Sequence, residues 1–253
     1  MIDTHCHLCD RRFDSDRLQV FDRARHAGVT HFVEIAYAPA IVPRAFELAR
    51  EHPNLFLCVG VHPGEAARVP GEYLAELRDH ARHPRVVAIG ETGLDFHRDH
   101  APRADQERWF REQVALADEL GLPLVIHQRS ALEDTLAILE EMRPGAGGVL
   151  HCFDDGPEAV ERARRLDFRL GLGGCLTYGH APLDEAAGMA PPEMLVLETD
   201  SPYLEPEPRS LRRNEPGLLG RVIRRLCEVR GWTPEEADRV TTANAKALFR
   251  LPI

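Results

Sequence analysis

The chain has 253 residues, of which 43% are hydrophobic and 28% are charged, and this composition excludes a disordered protein because it supplies enough apolar material for a core. The formal net charge of −10 excludes a protein that coats nucleic acid through bulk electrostatics, since such domains are usually strongly basic. No apolar run reaches the roughly 18 residues of a membrane span, and the start of the chain lacks a signal-peptide pattern, so we expect a cytoplasmic protein without membrane contact.

Short runs rich in Val, Ile and Leu alternate with longer segments of helical period, and this alternation predicts repeated βα units around a parallel sheet. The predicted strands are Met1 to His5, His31 to Ala36, Leu55 to His62, Val86 to Thr92, Pro123 to His127, Gly147 to Cys152, Arg169 to Gly174 and Met194 to Asp200. The helices predicted between them are Ser15 to Ala27, Pro39 to His52, Gly71 to Arg82, Arg103 to Leu120, Leu132 to Met142, Pro157 to Leu166 and a weaker one at Leu183 to Gly188.

Two further helices are predicted after the last strand. The first, Gly217 to Arg230, has an apolar stripe formed by Leu218, Val222, Leu226 and Val229. The second, Pro234 to Phe249, has Thr233 as its expected N-cap and proline at its first helical position. Eight βα units in about 250 residues are typical of a (β/α)8 barrel, whereas open doubly wound sheets usually have fewer strands. We therefore predict the α/β class, with a single (β/α)8 TIM barrel domain over residues 1–253.

Catalytic residues of such barrels lie at the carboxyl ends of the strands. Five of the predicted strand ends carry histidine or carboxylate side chains, namely His5 and His7, Glu91, His127, His151, and Asp200. His5 and His7 lie two residues apart on an extended segment, so their rings point to the same side. A single histidine at a strand end is usually structural, but packing does not require five ends to carry ionisable groups. We therefore predict a metal site at these ends.

The number of expected ligands indicates two metal ions, because one catalytic zinc-type site uses about three protein ligands. The expected ligands are His5, His7 and Asp200 for the first ion, and His127 and His151 for the second. Glu91 is expected to bridge the two ions. Such an arrangement stabilises both the attacking and the leaving oxygen at a phosphorus centre.

Several short motifs support a family resemblance. They are D-T-H-C-H-L at Asp3 to Leu8, G-V-H-P at Gly60 to Pro63, G-E-T-G-L-D at Gly90 to Asp95, L-P-L-V-I-H-Q-R at Leu122 to Arg129, H-C-F at His151 to Phe153, L-E-T-D-S-P-Y-L at Leu197 to Leu204, and N-E-P at Asn214 to Pro216. In this order they resemble the TatD family of metal-dependent deoxyribonucleases, within the amidohydrolase superfamily. The resemblance covers almost the whole chain.

The resemblance implies an enzyme that hydrolyses phosphodiester bonds of DNA, acting as a 3′-5′ exonuclease on single-stranded ends in a DNA repair role. It implies two divalent metal ions, Mg, Mn or Zn, and no obligate protein partner is evident. It also implies catalytic roles for two carboxylates. Glu91 corresponds to the bridging ligand, and Asp200 corresponds to the acid that binds metal and accepts the proton of the attacking water as general base.

Other residues are candidates for contacts with the substrate. Arg129 lies two residues after His127, where its guanidinium can hold a phosphate oxygen or form a surface ion pair. Tyr203 can stack on a base or pack within its loop. The same alternatives of phosphate contact and solvated side chain stay open for Arg209, Arg212 and Arg213.

His62 and Asp95 follow strand ends and are expected to orient the ligands or the substrate without binding metal themselves. The chain departs from the family pattern at two places. It has Asp154-Asp155 where the family usually has Ser-Gly, and Ser210-Leu211-Arg212 where the family often has Arg-Gly-Lys. These departures affect how a nucleic-acid backbone would be held.

Two other functions are compatible with the same residues. A barrel hydrolase of small amides, lactones or aminoacyl esters would use the same metals to polarise a carbonyl group, and the acidic net charge suits it. A protein that uses the pocket for binding without turnover is the second alternative. Comparison of single-stranded DNA with a panel of esters and amides separates these functions.

Overall fold

The computed structural model describes residues 1–98, 100–209 and 213–253. It contains one sheet of eight strands, whose order in the sheet follows their order in the chain. The strands are β1 (Ile2–Cys6), β2 (His31–Ala36), β3 (Leu55–Val59), β4 (Val86–Asp95), β5 (Leu124–Arg129), β6 (Gly148–Leu150), β7 (Phe168–Leu172) and β8 (Leu195–Leu197).

An α-helix follows each of these strands, and one more helix ends the chain. The helices are α1 (Arg17–His26), α2 (Val42–Glu51), α3 (Tyr73–Ala81), α4 (Arg103–Leu120), α5 (Leu132–Met142), α6 (Pro157–Arg165), α7 (Ala181–Met189), α8 (Leu219–Arg230) and α9 (Pro234–Phe249). Strands β1 and β2, β3 to β6, and β7 and β8 pair in parallel. The prediction of a (β/α)8 barrel is confirmed.

The described chain packs as two compact units. One unit comprises Met1–Glu34, Cys152–Arg164 and Arg169–Ile253, and the other comprises Ile35–His151 and Arg165–Phe168. In the first unit, the parallel bridge between Cys6 and Ser201 joins the end of β1 to the segment after β8. The predicted single domain over residues 1–253 stays a prediction.

Each unit has an apolar core in which the side chains of strands pack with those of helices. In the first unit, Leu195 and Val196 of β8 are fully buried, as are Val222 and Leu226 of α8. In the second unit the buried side chains include Leu57, Ile89, Trp109, Phe110 and Leu124. Burial of this apolar surface stabilises the strands whose ends carry the candidate ligands.

Some elements differ from their predicted bounds. Strand β3 ends at Val59 rather than His62, and at the next residue, Gly60, a Cβ atom would lie 2.5 Å from the carbonyl oxygen of Gly90. Strand β8 ends at Leu197 rather than Asp200, whose φ of 54° leaves the extended conformation.

Two helix predictions have mixed outcomes. Helix α9 begins as expected, with the hydroxyl of Thr233 accepting a hydrogen bond from the backbone N–H of Glu236. The predicted stripe of α8 was partly wrong, because Leu218 and Val229 are only half-buried. The buried residues of α8 are Leu219, Val222, Ile223 and Leu226, so the apolar face is turned relative to the prediction.

Candidate metal centre

A cluster of two histidines and one carboxylate lies in the first unit. The Nε2 atom of His7 is 3.1 Å from Oδ1 of Asp200, and Nε2 of His5 is 3.7 Å from the same oxygen. The two histidine rings meet edge to face with centroids 5.1 Å apart. One ligand atom from each of the three residues lies within 4.8 Å of the others. The arrangement brings together the three residues predicted to hold the first ion.

Backbone hydrogen bonds fix the two segments that carry this cluster. The N–H of Asp200 donates to the carbonyl of His5 at 2.9 Å, and the N–H of His7 donates to the carbonyl of Ser201 at 2.8 Å. The carboxylate of Asp3 accepts hydrogen bonds from both the N–H and the hydroxyl of Thr199. The β1 end and the β8 loop are therefore joined on both sides of the cluster.

Two other buried polar side chains support the same segments. The carboxylate of Glu34 accepts the N–H of Leu8 at 2.6 Å and the N–H of Cys9 at 3.0 Å, directly after His7. The side-chain amide of Asn214 donates to the carbonyl oxygen of Tyr203 at 2.7 Å, which holds the loop after Asp200. These bonds satisfy backbone groups where regular strand pairing has ended.

A second cluster lies in the other unit around Glu91. The Oε1 atom of Glu91 is 2.8 Å from Nδ1 of His127, 3.7 Å from Nε2 of His151 and 3.8 Å from Nε2 of His62. The side chain is 5% exposed, so its carboxyl group lies largely out of water among these imidazoles. This cluster contains Glu91, His127 and His151, as predicted, and His62 in addition.

The carboxylate of Asp95 lies beside the imidazole of His127. Its Oδ2 atom lies 3.1 Å from Nε2 of His127, so Nδ1 of the ring faces Glu91. Asp95 is itself held by buried Gln106, which accepts the N–H of Asp95 and donates to its carbonyl. A carboxylate on the second nitrogen of a metal-binding histidine fixes the orientation of the ring and raises its basicity. This position suits the expected orienting role of Asp95, which stays a prediction.

A second glutamine of α4 holds the chain on either side of the cluster. Gln113 accepts the N–H of Val61 at 2.8 Å, donates to the carbonyl of Val61 at 3.0 Å and donates to the hydroxyl of Thr92 at 2.7 Å. Val61 precedes His62, and Thr92 follows Glu91. One buried side chain therefore holds the residues next to two members of the cluster.

The glycines of G-E-T-G allow β4 to lie close against β5. At Gly90, which has a φ of 148°, a Cβ atom would collide with the carbonyl oxygen of Val125. At Gly93, which has a φ of 133°, it would collide with the carbonyl oxygen of His127. Only glycine readily combines this backbone conformation with such close packing. The spacing of the motif therefore sets how Glu91 approaches His127.

Burial shifts the pKa values of carboxyl groups near the first cluster. It raises the pKa of Asp3 to about 7, although hydrogen bonds from Thr199 act in the opposite direction. It also raises the pKa of Glu34 to about 7, against the opposing influence of His7 and of the hydrogen bonds from Cys9 and Leu8. Burial therefore makes both carboxyl groups harder to ionise, although each accepts hydrogen bonds.

In the second unit, the pKa values of two groups are shifted more by hydrogen bonds than by burial. Burial acts to lower the pKa of His127, but the hydrogen bonds with Asp95 and Glu91 raise it above its ordinary value. Burial acts to raise the pKa of Asp95, but the hydrogen bonds with His127 and with the N–H of Arg98 bring it well below its usual range. Asp95 therefore keeps its negative charge beside the imidazole.

Of the predicted substrate contacts, Tyr203 lies beside the first cluster. Its ring centroid is 5.6 Å from that of His7, and the two rings are nearly perpendicular. Arg129 ends β5 with an exposed side chain and pairs in register with Asp95. Arg212 lies outside the described residues, as does the departure from the family pattern at Ser210-Leu211.

The other two arginines are engaged by neighbouring side chains. Arg209 lies 3.1 Å from the carboxylate of Glu207, and its guanidinium carbon is 4.2 Å from the ring centroid of Tyr178. It helps to line a cavity of about 310 Å³ in the first unit. Arg213 forms an ion pair with Asp16 at 2.8 Å, and its choice between phosphate contact and solvated side chain stays a prediction.

Glu34, Gln106 and Gln113 were not predicted as parts of these sites. All three are buried polar residues. A signal existed for the glutamines, because Gln106 and Gln113 are seven residues apart on the apolar face of α4. Glu34 lies inside the apolar run of β2. A polar side chain in such a position requires a hydrogen-bond partner, here a backbone group beside a cluster.

The residues of both clusters fit divalent cations. Imidazole nitrogens and carboxylate oxygens are the ligands of zinc and manganese in proteins. Two groups of residues each bring three such atoms to within 4.8 Å of one another. They are His5, His7 and Asp200, and His62, Glu91 and His127. Oxygen and nitrogen donors held this close and largely buried are suited to binding a cation. The predicted bridging role of Glu91 stays a prediction.

The barrel and its histidine and carboxylate clusters define a metal-dependent hydrolase. The model of the family described as "TatD related DNase" matches residues 2–250 of the chain. The chain belongs to the TatD family. No α-helix in the described ranges is both long and apolar enough to cross a membrane.

Relatives and solved structures match over nearly their full lengths. The chain is 38% identical over 253 residues to the uncharacterized metal-dependent hydrolase YabD of Bacillus subtilis, covering 99% of each protein. It is 37% identical over 261 residues to the 3′-5′ ssDNA/RNA exonuclease TatD of Erwinia billingiae, covering 100% of each. The crystal structure of YjjV, a TatD homologue from Escherichia coli K12, matches with a TM-score of 0.94 and 30% identity, covering 100% of this chain and 98% of that one.

Proposed function

We propose that this hydrolase cleaves phosphodiester bonds of nucleic acid and removes nucleotides from single-stranded 3′ ends. The observation that carries the proposal is the cluster of His5, His7 and Asp200, in which two imidazoles and a carboxylate converge within 3.7 Å. Relatives named 3′-5′ ssDNA/RNA exonucleases, at 36–37% identity over nearly the full length, support the substrate class. DNA is the proposed substrate. RNA is included in the test because these relatives are named for both ssDNA and RNA.

Two divalent cations, Mg, Mn or Zn, are proposed as cofactors. His5, His7 and Asp200 would hold one, and His127, His151 and Glu91 would hold the other. When bound, such ions neutralise charge on phosphoryl oxygens and lower the pKa of water. His62 lies as close to Glu91 as His151 does, so it is a further candidate ligand.

Asp200 is the proposed general base. Its carboxylate is 13% exposed, which leaves it accessible, and its backbone is held by hydrogen bonds to the β1 end. The carboxylate accepts the proton of the attacking water, and Asp200 or solvent then protonates the leaving sugar oxygen. Glu91 lies among three imidazoles. The predicted cytoplasmic location and DNA repair role stay predictions.

The test uses single-stranded DNA and RNA labelled at the 5′ or the 3′ end. The purified protein is treated with chelator, and Mg, Mn or Zn is then added back. We expect a ladder of shortened 5′-labelled products and early release of mononucleotide from 3′-labelled strands, both dependent on added metal. Asp200→Asn and Glu91→Ala should each remove nearly all turnover, whereas Asp79→Asn at an exposed site of α3 should not.

The outcomes separate this proposal from its alternatives. Retention of most nuclease activity by both site variants would contradict the assigned roles of Asp200 and Glu91. Hydrolysis of amides, lactones or aminoacyl esters without degradation of nucleic acid would replace the proposed substrate class. Metal binding without hydrolysis of any substrate would indicate a binding protein.

A further inference from the structure

Tyr203 combines exposure with closeness to the first cluster. With 38% of its surface exposed, it is the most exposed Phe, Tyr or Trp side chain among residues 1–98, 100–209 and 213–253. Its backbone N–H donates to the carbonyl of Asp200 at 2.8 Å, and its ring centroid lies 5.6 Å from that of His7. The position of the ring is therefore tied to two proposed metal ligands.

Arg12 lies against this ring. Its guanidinium carbon is 4.3 Å from the ring centroid of Tyr203, and its side chain is 44% exposed. Asp10 holds the guanidinium through two contacts, Nε to Oδ1 at 3.0 Å and Nη2 to Oδ2 at 2.9 Å. Asp10 also accepts the backbone N–H of Arg12 at 2.8 Å. Both the main chain and the side chain of Arg12 are thus fixed before any ligand arrives.

This geometry favours stacking over a simple charge contact. A guanidinium is planar, and the side chain of Arg12 keeps 44% of its surface exposed while it lies over the ring of Tyr203, so a flat ligand has access to it. Asp10 balances the charge of Arg12, which reduces the net attraction for a phosphate. Proteins bind unpaired bases by stacking them on aromatic rings and on arginine planes, and such stacking tolerates any base.

We propose that Arg12, backed by Tyr203 and held by Asp10, is a stacking platform for a nucleobase of a single-stranded substrate beside the His5, His7 and Asp200 cluster. This inference rests on the proposed function and adds to it a positioning residue, Arg12. The platform holds the strand through a base, so it acts on substrate affinity rather than on the bond-breaking step.

Arg12→Lys is the decisive variant, because it keeps the positive charge and removes the plane. Arg11→Lys is the matched control, since Arg11 is an exposed neighbour in the same turn and undergoes the same chemical change. Binding of a fluorescent ten-residue oligothymidylate to the full chain in chelator is measured by anisotropy. The same strand with abasic sites in place of its last two nucleotides is the second probe.

We expect Arg12→Lys to weaken binding of the normal strand about 10-fold, since one stacked base contributes that order of affinity. The loss should be similar at low and high salt because the charge is unchanged. It should shrink to within about 2-fold on the abasic strand, and Arg11→Lys should bind both strands like the wild type. In the nuclease assay, Arg12→Lys should raise KM and leave kcat within about 2-fold.

Three results would overturn the platform. They are wild-type affinity in Arg12→Lys, an equal loss on the abasic strand, and an equal loss in Arg11→Lys. If the wild-type protein degrades single-stranded DNA while any of these results is found, the platform fails and the proposed function stands. If the wild-type protein neither binds nor degrades the strand, the proposed function fails and the platform fails with it.

Discussion

Replacement of Glu34 by glutamine should change how the stability of the metal-free protein depends on pH. Glu34 is fully buried, and its two carboxylate oxygens accept the N–H groups of Leu8 and Cys9. Burial raises its pKa from 4.5 to about 7. Glutamine has nearly the same shape but does not titrate, so Glu34→Gln removes this ionisation from the folded state.

The sign follows from the raised pKa. Between pH 4.5 and 7 the unfolded chain has lost the proton of Glu34 while the folded chain retains it, so stability falls as pH rises through this range. One pH unit corresponds to about 1.36 kcal/mol, so the contribution of Glu34 to the free energy of unfolding should fall by about 3 kcal/mol across the range. Below it the contribution is fully present.

The measurement is urea unfolding of wild type and Glu34→Gln at several pH values in chelator. Glutamine offers one oxygen to two N–H groups, so Glu34→Gln should be less stable than wild type at pH 5. The difference should then shrink, or reverse, as pH rises to 8. Glu72→Gln, at an exposed site, should follow the wild-type curve. Parallel curves for wild type and Glu34→Gln, separated by a constant offset, would refute the buried, proton-retaining carboxyl.

Two further substitutions test the second cluster. Asp95→Asn should weaken binding of Zn or Mn about 10- to 100-fold by calorimetry, because the carboxylate that orients His127 is lost; an unchanged metal affinity would show that Asp95 has no such role. Gly93→Ala should lower the free energy of unfolding by about 3 kcal/mol or more, since its backbone conformation and the carbonyl of His127 both oppose a side chain. Gly220→Ala, which meets open space, is the matched control, and equal stability of the two variants would contradict this account of β4.

The order and type of the elements were predictable because the local signals agree. Alternating apolar runs and helical periods identified the eight strands, and Thr233 before Pro234 identified the start of α9. The ends of β3 and β8 were less predictable. Both ends lie at contacts between distant segments. Gly60 lies close to Gly90, and the backbone of Asp200 is hydrogen-bonded to His5. Sequence periodicity carries no information on such contacts.

The candidate ligands were predictable for a related reason. His5 and His7 lie two residues apart on an extended segment, so their rings point to the same side, and His127 ends an apolar run. Local sequence therefore places all three at strand ends. Their surroundings were not predictable in the same way. The proximity of His62 to Glu91 depends on how Gln113 holds Val61 and Thr92, which lie 52 and 21 residues away from it in the chain.

The supporting residues explain how histidine and carboxylate side chains can be clustered in the folded chain. The imidazoles and carboxylates of these clusters are buried polar groups, and their burial is unfavourable unless hydrogen bonds compensate. In the first unit Glu34 supplies these bonds to backbone N–H groups, and in the second Gln106 and Gln113 supply them from one helix face. Each support holds the backbone next to the cluster rather than a ligand side chain. The ligand atoms are thereby positioned while their metal-binding lone pairs are not consumed by the supports, as a site that must bind a cation requires.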